Sequence, residues 1–483
     1  MSTLGNVNST STSAGLVLPS TMVNTLADIL AACVNTASST STNCNTLFTA
    51  TTVGGVPPTD TFQAALNIAL HPAANVSTLF GLPSASPPFQ PTIATATPPN
   101  DFTLAIGYNG GGIAPRGVNA VAIDASGNAW VTDYYTNSAG TVSGLIEITP
   151  TGTYPGGPTG FANSSLGPMN NLAIDQTGDI WVAIDGASPS ITALTPTGNV
   201  YTSFSNSSNP NGMAIDNLGD IWWSAGGNTC NAFTEIVNDG SGVYSTGPSF
   251  TGIDHFGVDV CITPLYVYGI SYGSPSEPSS FTQYSRANGT TTGVTPDGGD
   301  GGLSGCAVDN AGNLWLADFG QFNGIEVYSP SLALSHSIAV NANVYPQELA
   351  LDGLGNVFIA TYVPQGNQSY NSAAANPASL VEFSSTGTLL SPSVGYFPST
   401  GQSNSGNTGL VGLTSQVTAP GGVAIDASGN VWLPGNDGQS VPSTGNVNTG
   451  NLPAYVTEVL GIAAPVVTPK SVALKNGTIT TRP

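Results

Sequence analysis

The chain has 483 residues, with 27 acids against five bases and a formal charge of −22. That balance excludes duplex nucleic acid and anionic membrane surfaces as partners, because both are gripped by Lys and Arg that release counterions. No stretch holds about 18 consecutive apolar residues, so no membrane span is expected.

Only 7% of residues are charged, whereas Gly alone numbers 60. A chain rich in Gly, Ser, Thr and Asn suits short strands and tight turns, since Gly and Asn take positive φ at little steric cost. Apolar residues make up 40%, with 16 Tyr, 16 Phe and 6 Trp. A chain of this kind can fill a core, unlike a disordered sequence of similar polarity. Few lysines beside abundant hydroxyl and amide residues point to a secreted or cell-surface protein. Residues 1–23 lack the basic region and apolar core of a secretory signal, so export predicts a signal already removed.

In chain order, residues 1–100 differ in character from the rest of the chain. Apolar residues recur at helical spacing in 20–36 and in 60–73. Asp60 or Thr61 would cap the second helix, and His71-Pro72 would end it. A Pro-rich extended linker occupies 84–101. The five cysteines allow a Cys33–Cys44 disulfide across a short polar loop and a second pair, Cys230–Cys261, leaving Cys306 over as core filler. Reduced, buried thiols are the other reading.

From residue 101 one unit recurs. It reads VAIDASGNAWV (121–131), LAIDQTGDIWV (172–182), MAIDNLGDIWW (213–223), CAVDNAGNLWL (306–316), LALDGLGNVFI (349–359) and VAIDASGNVWL (423–433). The step from Asp216 to Asp309 is close to double its neighbours. In that gap FGVDVCITPLYVYGI (256–270) is read as a degenerate seventh copy with Asp259 at the motif aspartate. Each copy is two apolar runs around a Gly-containing turn, a hairpin signature. A third run comes after each copy, such as LIEITP (145–150) or YVTEVL (455–460), and then a short turn to a fourth. Four antiparallel strands in about 40–50 residues make a propeller blade, and neighbouring blades supply the missing half of each core. The fold is therefore expected to be all-β, a seven-bladed β-propeller spanning 101–462 with a small, mainly helical N-terminal region in 1–100. DFTLAIGY (101–108) is expected to complete the blade begun by the last motif, and 463–483 to form an extended tail.

The motif resembles that of NHL-repeat propellers, within the broader group of streptogramin lyase-like and SMP-30-like proteins. Pro210, Pro346 and Pro420, six residues before the aspartate, and Pro168, seven before, add to the resemblance. It covers roughly 101–462 and implies the fold; the group includes enzymes, ligand binders and scaffolds, so it leaves activity open. Streptogramin lyase-like enzymes use histidine and glutamate at the channel mouth. Of His71, His255 and His336, only His255 is placed before a first strand.

The motif aspartates lack the alternating oxygen ligands of a calcium loop and are read as acceptors of backbone N–H groups in their own turns. Long insertions (293–302, 364–378, 401–416 and 434–451) all fall on the opposite face, where binding is usually built. Arg116, Asn119, Asn170, Asn171, Asn211, Gln347 and Glu348 stand there before first strands, and Asp133, Asp185 and Asp318 after second strands. They suit a polar ligand such as a carbohydrate or a divalent cation, or else hydrogen bonds between blades. Asp297 and Asp300 in PDGGDGG offer a surface calcium site; no other cofactor is implied. The expected function is binding or scaffolding through this face, toward a protein, a glycan or copies of itself. The alternative is a lyase or hydrolase acting on a polar, carbohydrate-like substrate through His255, Asp133, Asp318 and Glu348.

Overall fold

In the computed structural model the described residues are 16–93, 98–108, 118–133, 144–157, 160–161, 166–185, 188–205, 208–226, 233–250, 257–273, 278–296, 302–320, 322–340, 345–362, 380–393, 395–396, 422–434 and 456–481. They form seven antiparallel sheets, the blades of a propeller. Blade one contains Val118–Ile123, Ala129–Asp133 and Ile146–Ile148. Blade two runs from Met169–Ile174 to Val200–Ser205, blade three from Asn209–Ile215 to Tyr244–Phe250, blade four from Gly257–Ile262 to Thr291–Val294 and blade five from Leu303–Val308 to Leu334–Ala339. Blade six contains Tyr345–Leu351, Val357–Tyr362 and Leu380–Phe383. Blade seven is composite. Ala424–Ile425, Val431–Pro434 and Val456–Val459 are joined by Ala105–Tyr108, as the sequence predicts, and Leu16–Val17 adds a fifth strand outside it.

The motif explains why each blade starts as it does. In blade one Asp124 Oδ1 accepts the amides of Ser126 and Asn128, and Oδ2 accepts Asn128 Nδ2 and Trp130 Nε1. One carboxylate thus caps the turn and fixes the indole of the next strand. The turn glycine has φ of 82° in blade one and 79° to 94° in the other five motif blades, a region that glycine enters freely. The indoles of Trp130, Trp181, Trp222 and Trp432 are almost fully buried between sheets. Burial of each large apolar side chain is worth roughly 1.5–3 kcal/mol, so the interleaved blade cores hold the ring.

Blade four corrects one expectation. Ile262 pairs Val267 where Val308 pairs Leu314 in blade five, so its turn is one residue shorter. Thr263, and not Asp259, takes the capping position, and its Oγ1 accepts the amides of Leu265 and Tyr266. Tyr268 takes the place of the tryptophan. Asp259 belongs instead to the inner strand.

A second correction concerns cysteines. Cys33 and Cys44 are bonded, but Cys261 is bonded to Cys306, tying the inner strands of blades four and five; Cys230 lies outside the described residues. Adjacent inner strands approach closely near the channel, which puts these two side chains within reach. At Gly212 a Cβ would collide with the backbone of Asp259 for the same reason.

The N-terminal region holds helices α1 (Ser20–Val34), α2 (Thr42–Ala50), α3 (Thr61–Leu70) and α4 (Val76–Phe80). Ser41 and Asp60 cap α2 and α3 through the amides of Cys44 and Gln63. The helices bury Ile29, Leu47, Ala64 and Leu79 with Phe102. They meet the ring at its periphery, where Leu16 pairs with Tyr108 and Asn100 donates to the Gly395 carbonyl.

The C-terminal segment 463–483 is not extended throughout, contrary to expectation: residues 470–476 are helical. It crosses the motif-turn end of the channel and forms α5 (Lys470–Asn476), which Gly477 ends at φ 67°. On the way it touches successive blades. Ala464 N donates to Asp352 of blade six, Val466 N to the Asp426 carbonyl of blade seven, Thr468 Oγ1 to the Asp124 carbonyl of blade one and Ser471 Oγ to the Ile174 carbonyl of blade two. Ala473, Leu474 and Ile479 then join the core of blades three to five.

Candidate functional site

The inner strands of all seven blades line one channel, because the first strand of every unit is the one nearest the axis. With the tail in place, the channel holds a cavity of about 240 Å³. Its walls mix polar and apolar surface; Leu172, Met213 and Leu349 are among the lining residues, and three charged groups reach it: Asp259, Glu348 and Lys470.

Asp259 is nine-tenths buried; its Oδ1 accepts Val260 N at 2.8 Å and its Oδ2 accepts Cys306 N at 3.0 Å. Burial pushes its carboxyl up to about 6, against the Lys470 ammonium and these two amides. Glu348 Oε1 accepts the amide of the next residue, Leu349, at 3.2 Å. Its carboxyl is held well above the usual range by burial first and by the negative charge of Asp259 second. Burial and the charge of the neighbouring carboxylate thus both oppose ionisation of the pair. Lys470, at the start of α5, is exposed to the lumen. Among the described residues the ion pair within 4 Å is Arg286–Asp216, so the Lys470 ammonium acts on both carboxylates across a gap.

The other expected site residues have varied fates. Asn170 donates to the Pro210 carbonyl at 2.9 Å and to Asn211 Oδ1 at 2.8 Å, and Asn211 donates to the Gly257 carbonyl at 3.0 Å. These amides therefore lace blades two, three and four together. Asn171 accepts the amide of Leu172, and Gln347 donates to the Pro346 carbonyl at 3.4 Å. Asn119 lies in the inner strand of blade one, half-buried. Asp318 is 4% exposed, accepts Gly320 N at 2.7 Å, and is pushed up by burial. The Asp185 amide donates to the Pro168 carbonyl, and Asp133 pairs with Val118 across blade one. Arg116, His255, Asp297 and Asp300 lie outside the described residues, as do most of the long insertions.

Sequence reasoning misses two side chains of the cavity. Asp259 is visible there only in the wrong register, as a motif aspartate. Lys470 sits in a tail whose alternating apolar residues point to a strand, although three of the chain's five bases in its last 14 residues are an available clue.

A second acidic cluster, Asp216, Asp220 and Glu235, already contains its cation: Arg286 Nη2 lies 2.7 Å from Asp216 Oδ2. The cysteines near Asp259 are disulfide-bonded, which removes them as thiolate ligands.

No protein-family model matches the chain, and no curated protein matches it. Solved structures do. Virginiamycin B lyase from Staphylococcus aureus is 13% identical, with TM-score 0.50, over 72% of this chain and 96% of that one. The extracellular domain of the one-component system BT4673 from B. thetaiotaomicron is 14% identical, with TM-score 0.45, over 71% of this chain and 38% of that one. The gluconolactonase XC5397 from Xanthomonas campestris is 14% identical, with TM-score 0.37, over 54% and 90%. At such identity the likeness is one of architecture: the chain is a seven-bladed β-propeller with a small helical N-terminal region.

Proposed function

We propose that this protein works outside the cell as a binding or scaffold propeller, engaging a protein, a glycan or further copies of itself through its loop-bearing face. The observation that carries the reading is the closure of the opposite end of the channel by the chain's own C-terminal segment. The motif turns on that closed face repeat one geometry in six of the seven blades, whereas the long insertions follow second strands or precede first strands, the positions that belong to the other face. Two disulfides and the scarcity of basic residues support an extracellular setting.

The test is to replace 364–378 and 434–451 by short Gly-Ser links and to compare the variant with the parent on a glycan array and by light scattering. The reading expects the parent to bind or associate, and the variant to lose that property with its melting temperature kept. A parent that binds no glycan and stays monomeric at high concentration overturns it. The enzymatic alternative, built on His255 and Asp318, is tested by His255→Ala and Asp318→Ala under the same conditions. Retained binding in both variants removes it.

A further inference from the structure

The lumen joins three features: a cavity of about 240 Å³, apolar residues in its walls, and charged groups from two inner strands and the tail helix. Pockets for drug-sized ligands run to about 300–1,000 Å³, so an occupant here is small. Charge narrows its chemistry. A bare divalent cation would sit beside a second cation, Lys470, and a simple amine would leave that ammonium without an anion. A simple carboxylate would face Asp259 and Glu348. Each of these leaves one member of the set opposed by like charge or without a partner, which disfavours it. We propose that the channel is a binding site for a small zwitterion of the α-amino-acid type. Its ammonium is taken by Asp259 and Glu348, its carboxylate by Lys470, and its apolar side chain lies against Leu172, Met213 and Leu349.

The geometry gives each group a place. Glu348 has one carboxylate oxygen engaged by its own neighbouring amide and the other directed past Gly305, where a Cβ would come within 2.7 Å of it. Lys470 stands on the opposite, tail side of the cavity and makes no ion pair within 4 Å among the described residues. The acid pair from two inner strands and the ammonium from the tail helix put both signs of charge around one lumen, matching a zwitterion. The motif-turn end is covered by the tail. This site lies inside the ring and does not rest on the reading of the loop face given above.

The experiment is isothermal titration of the full chain with L-leucine and L-methionine. The single-charge analogues 4-methylpentanoate and isoamylamine, and calcium chloride, are run in parallel. The proposal expects saturable binding of an amino acid at one site per chain, with either analogue at least about tenfold weaker. Lys470→Met, which keeps the aliphatic stem on an exposed position, is expected to weaken amino-acid binding at least about tenfold with an unchanged melting temperature. Glu348→Gln is the second variant and is expected to weaken it through the ammonium. Absence of binding by both amino acids overturns the proposal. So does binding that both variants retain, or calcium binding that Lys470→Met strengthens while the amino acids give no heat.

Discussion

Arg286 of blade four forms an ion pair with Asp216 of blade three, Nη2 to Oδ2 at 2.7 Å, and its Nη1 donates to Asn217 at 2.5 Å. The pairing answers a local departure in the sequence. Where the motif ends in Gly-Asn, the asparagine amide donates to the motif aspartate, as in blades one, five, six and seven. Blades two and three end in Gly-Asp, which sets two carboxylates side by side and removes that donor. In each case the following blade supplies a replacement: Tyr244 OH to Asp175 at 3.3 Å, and Arg286 to Asp216.

Arg286→Met is therefore expected to leave the fully buried Asp216 uncompensated beside Asp220, at a cost of about 3 kcal/mol. Thermal unfolding of parent and variant measures it. A loss below about 0.5 kcal/mol would show that the pair behaves as a surface bridge.

Asp179→Asn restores the common form of the motif in blade two. Asp179 is pushed up by burial and by the charge of Asp175, so the amide removes a like charge and adds a donor. Tyr201 and Thr177 retain an oxygen to bond. A gain of about 0.5–1 kcal/mol is expected, read as a higher denaturation midpoint. A destabilised variant would sink the idea that the asparagine donor is the preferred arrangement.

Stability is expected to rise on acidification from pH 8 to pH 5. Glu147, Glu382 and Glu458 on third strands are buried, and burial chiefly, with the adjacent motif aspartate, pushes each up to about 7. Glu235 is raised to about 7 in the same way by burial, Asp220 and Asp216. Each folded value lies above the ordinary 4.5, so folding favours the protonated form. The contribution is complete below the unfolded value and is lost as pH rises through about 7. Melting temperature should fall by several degrees between pH 5 and pH 8, and Glu382→Gln with Glu458→Gln should flatten that slope. Tyr396 and Tyr108, which donate to these two glutamates at 2.6 and 2.5 Å, would find an amide oxygen in the variants. A melting temperature that climbs with pH over this window is the contrary result.

In blade six Phe358 stands where five blades carry tryptophan, and the missing indole donor to Asp352 is replaced by the Ala464 amide of the tail at 2.9 Å. The tail is thus part of the ring. Leu474→Ala, at a position 4% exposed in the core of blades three to five, is expected to cost about 2–5 kcal/mol. Rapid amide exchange throughout 466–480 in the parent protein would instead mark the tail as an appendage.

The blades, their number and their turns are legible in the sequence because they rest on contacts within a few residues: an aspartate, a left-handed glycine and an indole six positions on. The closing strand is legible as well, since Ala105–Tyr108 precedes the first motif and the last motif is followed by a third strand but no fourth in the ring. Blade four is placed but misaligned, because a threonine can cap a shortened turn while the pattern points to the aspartate. The Cys261–Cys306 bond, the Arg286 and Tyr244 donors and the charged lumen are decided by the packing of one blade on the next. Every blade carries nearly the same local pattern, so that pattern holds no information about which side chains of neighbouring blades face each other. The tail is decided later still. Its alternating apolar residues fit a strand equally well, and only the closed ring provides the enclosed apolar surface on which they fold as a helix and carry Lys470 to Asp259 and Glu348.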